Sequence, residues 1–481
     1  MKTDRKNLKY VNGFLYILFG VLYLFLALKI NFHYDEAYSI GMIANSYGEI
    51  LEITSRDVHS PLYYWLLKLF CEMNREHILV FSKVFSWTFM MAFLGLGRYI
   101  CRKHYNSKVE FYWLLCAGFM PSMIIQATTA RMYTMAMFFV TLALYLAYEL
   151  YCKESKGRWI GFTVVSVVVV YIHTFCMLEM VVIYLFLMIG AIKNKKFRLV
   201  KGTLLSGIVV SLCYLPWLLT LIHQFLRWAG VEKGWSNTIE PISHKSFIMY
   251  WAEWFSSLEQ PWLPAMISGV VLVVVAGIFN WKYIKRQKDY LPLYSVIIIG
   301  IILFLAMAVS LFIVPCFVGR YVFPLFGGLW LFVAIGICEI KKKWIRLAVC
   351  LLILVMGSYA YVEEVRLENP EGLNAYMEFM EEYQESTDGK IIMADTYFAM
   401  MLSIYMPEEE YMIWGHEPEC LPFRNCSAFT DWEQLAGIDE VWYISLKNLR
   451  AGNLDEFFAV EKSIEFSHSY YDLVIEKYIR K

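Results

Sequence analysis

Apolar residues gather along this chain in runs close to the roughly 20 residues that cross a bilayer, with polar residues between them. The runs fall at about residues 11–30, 78–97, 110–128, 132–151, 159–176, 177–192, 203–224, 263–281, 291–314, 321–338 and 345–361. The pattern predicts an α-helical polytopic membrane protein with about eleven transmembrane helices. Its polar connections alternate in charge. Lys2, Arg5, Lys6 and Lys9 precede the first run, Arg98, Arg102, Lys103 and Lys108 follow the second, and Lys153, Lys156 and Arg158 follow the fourth. Basic clusters return at Lys193 to Lys201, at Lys282 to Lys288, and at Lys341 to Lys343 with Arg346. Every second connection is basic, which places the N-terminus in the cytoplasm and, after an odd number of crossings, the C-terminus outside the plasma membrane. The first run has a basic front but no small-residue cleavage site after it, so it reads as a retained anchor.

Three polar stretches are too long to be simple connectors. Residues 31–76 form the first outer segment. Ile40, Ile43, Ala44, Tyr47, Ile50 and Leu51 recur there near a 3.6-residue period, predicting one amphipathic helix over 36–53 lying along the surface. Ser60 and Pro61 then read as cap and first residue of a second, short helix running to Phe70. Between them the turn Arg56-Asp57-Val58-His59 is held beside Asp35. A second outer segment, 225–262, carries Trp228, Trp235, Trp251, Trp254 and Trp262, either as an interfacial belt or as a lid over a lipid-linked substrate. The third stretch is the tail, 363–481, large enough to fold alone. Helix is predicted over 371–385 and 396–405, and strand over 390–394, 410–414, 440–445 and 473–478, the order of a small extracytoplasmic α/β domain. The division is thus 1–362 in the membrane and 363–481 outside.

Composition agrees with lipid as the main solvent: 59% of the 481 residues are hydrophobic and only 18% charged. Lys and Arg equal Asp and Glu at 43 each, so no basic excess points to nucleic acid. The eleven cysteines show no CxxC pair or zinc spacing and read mostly as small packing residues. Cys420 and Cys426 lie in the outer tail, where a disulfide between them would persist.

Candidate chemistry converges by topology on the outer side. Asp35, Glu36, Asp57 and His59 belong to the first outer segment. Arg131 is the only charge in the tight hairpin after the third run, His173 closes the fifth, and Arg320 with Tyr321 opens the tenth. Each has a plain structural reading beside the chemical one. An isolated Asp-Glu pair is most often a solvated loop feature, His173 a satisfied buried histidine, and Arg131 and Arg320 interfacial groups reaching lipid phosphates. Glu179, deeper in the sixth run, reads as a structural partner of a neighbouring span. The Asp57-x-His59 pair accompanying Asp35 and Glu36 tips the balance towards a site.

The Asp-Glu pair after the first span, followed by Asp57-Val-His59-Ser-Pro61-Leu-Tyr-Tyr64, resembles the integral-membrane glycosyltransferases of the GT-C superfamily. The resemblance is to the branch of protein O-mannosyltransferases and lipid A aminoarabinose transferases. Ala130-Arg131-Met-Tyr133 and Gly319-Arg320-Tyr321 to Pro324 are similar to segments of that branch. His59-Ser60-Pro61 departs mildly from its usual His-Pro-Pro, and the tail has no specific match. The resemblance implies transfer of a sugar from a polyprenyl phosphate to a hydroxyl of a protein, polysaccharide or lipid on the outer face, with inversion. Asp35 and Glu36 would then be catalytic, with Asp35 as base. Asp57, His59 and His173 would orient acceptor and base, and Arg131, Arg320 and Tyr321 would bind the donor phosphate. A divalent ion, Mg or Mn, on Asp35, Asp57 and His59 is left open, since members of the superfamily differ. Two rival classes remain: a transporter or flippase of a lipid-linked substrate, for which Glu179 is the main group at depth, and an inactive scaffold of an envelope complex.

Overall fold

A computed structural model of the chain describes residues 2–29, 32–229, 251, 253–256, 262–287, 289–313, 315–367, 378–379, 381–386, 390–413, 422–446, 454–468 and 471–481. The chain begins with α1 (Lys2–Ala27). Three short helices follow, α2 (Tyr34–Ala44), α3 (Tyr47–Arg56) and α4 (Leu62–Cys71). Then come α5 (Ile78–His104), α6 (Ser107–Phe119), α7 (Pro121–Thr128), α8 (Tyr133–Cys152), α9 (Lys156–Val170), α10 (Thr174–Lys193) and α11 (Phe197–Ala229). The helical series closes with α12 (Trp262–Gln287), α13 (Leu291–Phe312), a 3₁₀ segment (Gly319–Leu325), α14 (Phe326–Glu339) and α15 (Lys343–Leu367). The tail adds β1 (Lys390–Ala394), α16 (Thr396–Tyr405), β2 (Tyr411–Ile413), β3 (Cys426–Ala428), β4 (Glu440–Leu446), α17 (Leu454–Phe457), β5 (Phe458–His468) and β6 (Tyr471–Arg480).

Among the described residues nine helices are long and apolar enough to cross a membrane, or ten if the bent pair α6 and α7 forms one span. This is the architecture of an integral membrane protein. All eleven apolar runs are helical, yet two do not behave as straight spans. The run at 110–128 bends by 64° between Phe119 and Pro121, because Pro121 at the first position of α7 has no N–H to continue α6. The run at 159–176 yields only the 15 residues of α9, a rise of about 22 Å against a hydrocarbon core of about 30 Å.

The described residues divide into two compact units. The first comprises Met1–Leu28, Val58–Tyr63 and Lys83–Glu363. Its centre is the span Gly319–Glu339, with 94% of its most apolar window buried against 22–56% for the other straight spans. Helices α12 and α14 cross there at Gly336, whose Cβ, if it had one, would lie 2.5 Å from the Ala276 carbonyl oxygen; only glycine admits that approach. At the start of α6 and the end of α8, buried carboxylates gather the basic residues. Glu110 takes Arg98 and Arg102, and Glu149 takes Lys103 and Arg158.

The second unit comprises Lys29–Asp57, Tyr64–Ser82 and Glu364–Lys481. A six-stranded sheet runs β3-β2-β1-β4-β6-β5. β1 pairs parallel with β2 and β4, and β6 pairs antiparallel with β4 and β5. Met393, Val441, Tyr443 and Tyr478 centre its core. All of the first outer segment except Val58–Tyr63 is therefore grouped with the tail. The single surface helix expected over 36–53 is two helices, broken at Asn45-Ser46, where Ser46 Oγ accepts the Glu49 N–H and Glu49 returns a carboxylate to the Ser46 N–H. Most of α2 is buried. In the predicted 371–385 helix, 371–377 and 380 lie outside the described residues, and 378–379 and 381–385 are helical. Cys420 also lies outside them, and Cys426 is a thiol 3.6 Å from Ser403 Oγ.

Candidate active site

Five of the site residues expected from sequence, His59, Arg131, His173, Arg320 and Tyr321, meet within the first unit, each placed by the end of an element. Arg131 occupies the hairpin between α7 and α8 and is buried, its N–H bonded to Thr129 O at 2.7 Å. Its Nη2 lies 3.1 Å from His59 Nε2. His59 is held in turn by its neighbour Val58, whose carbonyl accepts from Thr174 Oγ1 at 3.3 Å.

His173 caps α10, its Nδ1 accepting the Phe175 N–H at 3.2 Å. Burial, with the positive charges of Arg131 and Arg320 near it, lowers its pKa from the ordinary 6.5 to about 3. The ring is thus neutral at physiological pH, and with Nδ1 engaged as acceptor its proton resides on Nε2. His173 becomes a neutral N–H donor among cations. The Tyr321 ring lies 4.9 Å from it and that of Tyr133 6.1 Å. Arg320 and Tyr321 sit in the 3₁₀ segment, whose first carbonyl, Gly319 O, accepts from Trp254 Nε1 at 2.9 Å. Trp254 is itself buried and receives Ser122 Oγ at its own carbonyl. This tryptophan works as a buried strut. Residues 230–250 of the expected lid, Trp235 among them, lie outside the described residues.

Asp35, Glu36 and Asp57 belong to the second unit. His33 caps α2 through Nδ1, which accepts the Asp35 N–H at 3.2 Å, and Glu36 Oε2 accepts the His33 N–H at 3.1 Å. Glu36 is buried and completes that capping box. The Asp35 carboxylate is 14% exposed and lies 4.0 Å from His33 Nδ1. Asp57 closes α3, and its Oδ2 accepts from Tyr38 Oη at 2.6 Å. That bond ties the turn to the helix bearing Asp35, one turn beyond it. Among the described residues no group of three or more His, Cys, Asp or Glu side chains is arranged to hold a metal ion, and Asp57 is engaged as an acceptor.

Sequence reasoning missed Lys83, whose side chain is 1% exposed in the second turn of α5. Within an apolar run a single lysine near one end looks like an interfacial anchor, and only burial reveals it as an internal cation. Glu179 is wholly buried within α10 beside the Cys176 thiol, away from the capping end that carries His173.

No family model matches the chain, and no curated protein matches it by sequence. Solved structures do. The crystal structure of ArnT from Cupriavidus metallidurans in the apo state superposes with a TM-score of 0.61 at 10% identity, covering 96% of this chain and 97% of that one. ArnT from the same organism bound to undecaprenyl phosphate gives 0.60 at 11% identity over the same shares. At such identity the likeness establishes the fold alone: this chain has an ArnT-like fold over nearly its whole length.

Proposed function

From that fold we propose that the protein is a polyprenyl-phosphate-dependent glycosyltransferase, moving a sugar to a hydroxyl acceptor on the outer face of the membrane with inversion. The observation that carries this reading is the cluster of His59, Arg131, His173 and Arg320 in the membrane unit, with Arg131 and His173 buried. Its two guanidiniums and neutral N–H donor suit a phosphate, and a solved ArnT structure is bound to undecaprenyl phosphate.

The step follows from the chemistry of the groups. The acceptor hydroxyl loses its proton to Asp35 while its oxygen attacks the anomeric carbon opposite the phosphate. The anomeric C–O bond breaks and polyprenyl monophosphate departs with its electron pair. Arg131 and Arg320 offset the charge that grows on it, and Tyr321 binds the departing phosphate with them. Asp57 and His59 orient the acceptor and the base. Glu36 holds the start of α2, and the hexosyl or pentosyl nature of the sugar is set by the acceptor and donor pockets.

The test is purified protein in vesicles with a panel of polyprenyl-phosphate sugars and hydroxyl acceptors. Acceptor-dependent release of polyprenyl phosphate is expected. Arg131→Ala and Arg320→Ala should each slow it by about 100-fold or more, while Glu179→Gln leaves it near wild type. Movement of intact sugar lipid across the bilayer, lost in Glu179→Gln, would contradict transfer and favour a flippase.

A further inference from the structure

Three consecutive tail residues grip the segment that carries Asp35 and Glu36. The Asn45 amide, which caps the end of α2, donates to Pro422 O at 2.7 Å and to Gly41 O at 2.8 Å. The Phe423 ring fills the place a side chain would take at Gly41, where an ideal Cβ would lie 2.6 Å from the ring Cζ. The Arg424 guanidinium pairs with Glu49 at the start of α3. At the other end of α2 the Phe32 N–H donates to Tyr405 Oη of α16 at 3.4 Å. All of these residues belong to one compact unit. The contacts are specific: a glycine with no room for a methyl group, an amide shared between helix and tail, and a charge pair.

A helix is stiff over six residues, so a shift at Gly41 is carried about 9 Å along the axis to Asp35. A misplacement of about 1 Å at a reacting group costs on the order of 100-fold in rate. We propose that Pro422-Phe423-Arg424 is a positioning latch that sets where α2 presents Asp35. The C-terminal domain then serves the reaction by fixing its base and not by recognising the acceptor. The proposal rests on the reading of Asp35 as base, and it makes Gly41, Asn45 and Phe423 positioning residues.

The test compares the full-length wild type with Gly41→Ala, Asn45→Ala and the double variant Gly41→Ala/Phe423→Leu. It reads kcat, the KM of donor and acceptor, and amide hydrogen exchange over 34–44. Gly41→Ala should lower kcat by about 10-fold or more at unchanged KM values and speed exchange in α2. Asn45→Ala should act in the same direction. Phe423→Leu, which removes the far end of the ring, should restore both readings in the double variant. Unchanged kcat and exchange in Gly41→Ala, a loss that Phe423→Leu does not relieve, or a raised acceptor KM at constant kcat would each overturn the latch. A wild type without transferase activity would refute the functional reading instead. Exchange alone would then decide the latch: faster in Gly41→Ala and restored in the double variant, or unchanged and the latch refuted.

Discussion

Asp35 and Glu36 are neighbours in sequence with separate tasks. Glu36 turns back to the His33 N–H and completes a capping box, while the Asp35 side chain remains partly exposed. Glutamine keeps an acceptor oxygen in the same place, so Glu36→Gln should retain most of the activity, and Glu36→Ala should cost about 1 kcal/mol of stability through the lost cap. Thermal denaturation and transfer rate measured together check this. A Glu36→Gln protein that is stable but inactive would make Glu36 catalytic. The sequence hid this role because the cap here is a histidine and not Ser, Thr, Asp or Asn. That Arg131, His173 and Arg320 fall on one side followed from the apolar runs, since each stands at the end of one. Lys83 was not legible, because its burial comes from tertiary packing alone.

Helix ends explain most of what pattern alone predicted and what it missed. β1 and α16 fall where hydrophobic period and turn residues place them, at Lys390–Ala394 and Thr396–Tyr405. The break between α2 and α3 was signalled by Ser46-x-x-Glu49, but the apolar period continues across it and reads as one helix. β5 was missed because it alternates charged and apolar residues at the sheet edge, paired with β6 alone. Among the spans, close crossing of α12 and α14 depends on Gly336. Gly336→Leu meets the Ala276 backbone, which cannot yield as a side chain can, and should cost about 1–3 kcal/mol or more. Gly300 in α13 has open space around its Cβ position, so Gly300→Leu is the matched control. Equal thermal midpoints for the two variants in detergent would show that α12 and α14 can separate without loss.

At the scale of the whole molecule, zero net charge conceals a strong ordering of basic residues along the chain. That ordering and the apolar runs made the membrane fold legible. The grouping of the first outer segment with the tail was not, since its two parts are about 300 residues apart in sequence and no local pattern links them. Transfer from a polyprenyl-phosphate sugar with Asp35 as base is tested by mass spectrometry of lipid-linked sugars in cells lacking this protein, restored with wild type or with Asp35→Asn. One polyprenyl-phosphate sugar should accumulate, wild type should clear it, and Asp35→Asn should reach the membrane at normal level without clearing it. Clearance by Asp35→Asn as complete as by wild type would contradict the assignment of the base, and a lipid pool that never changes would contradict the donor.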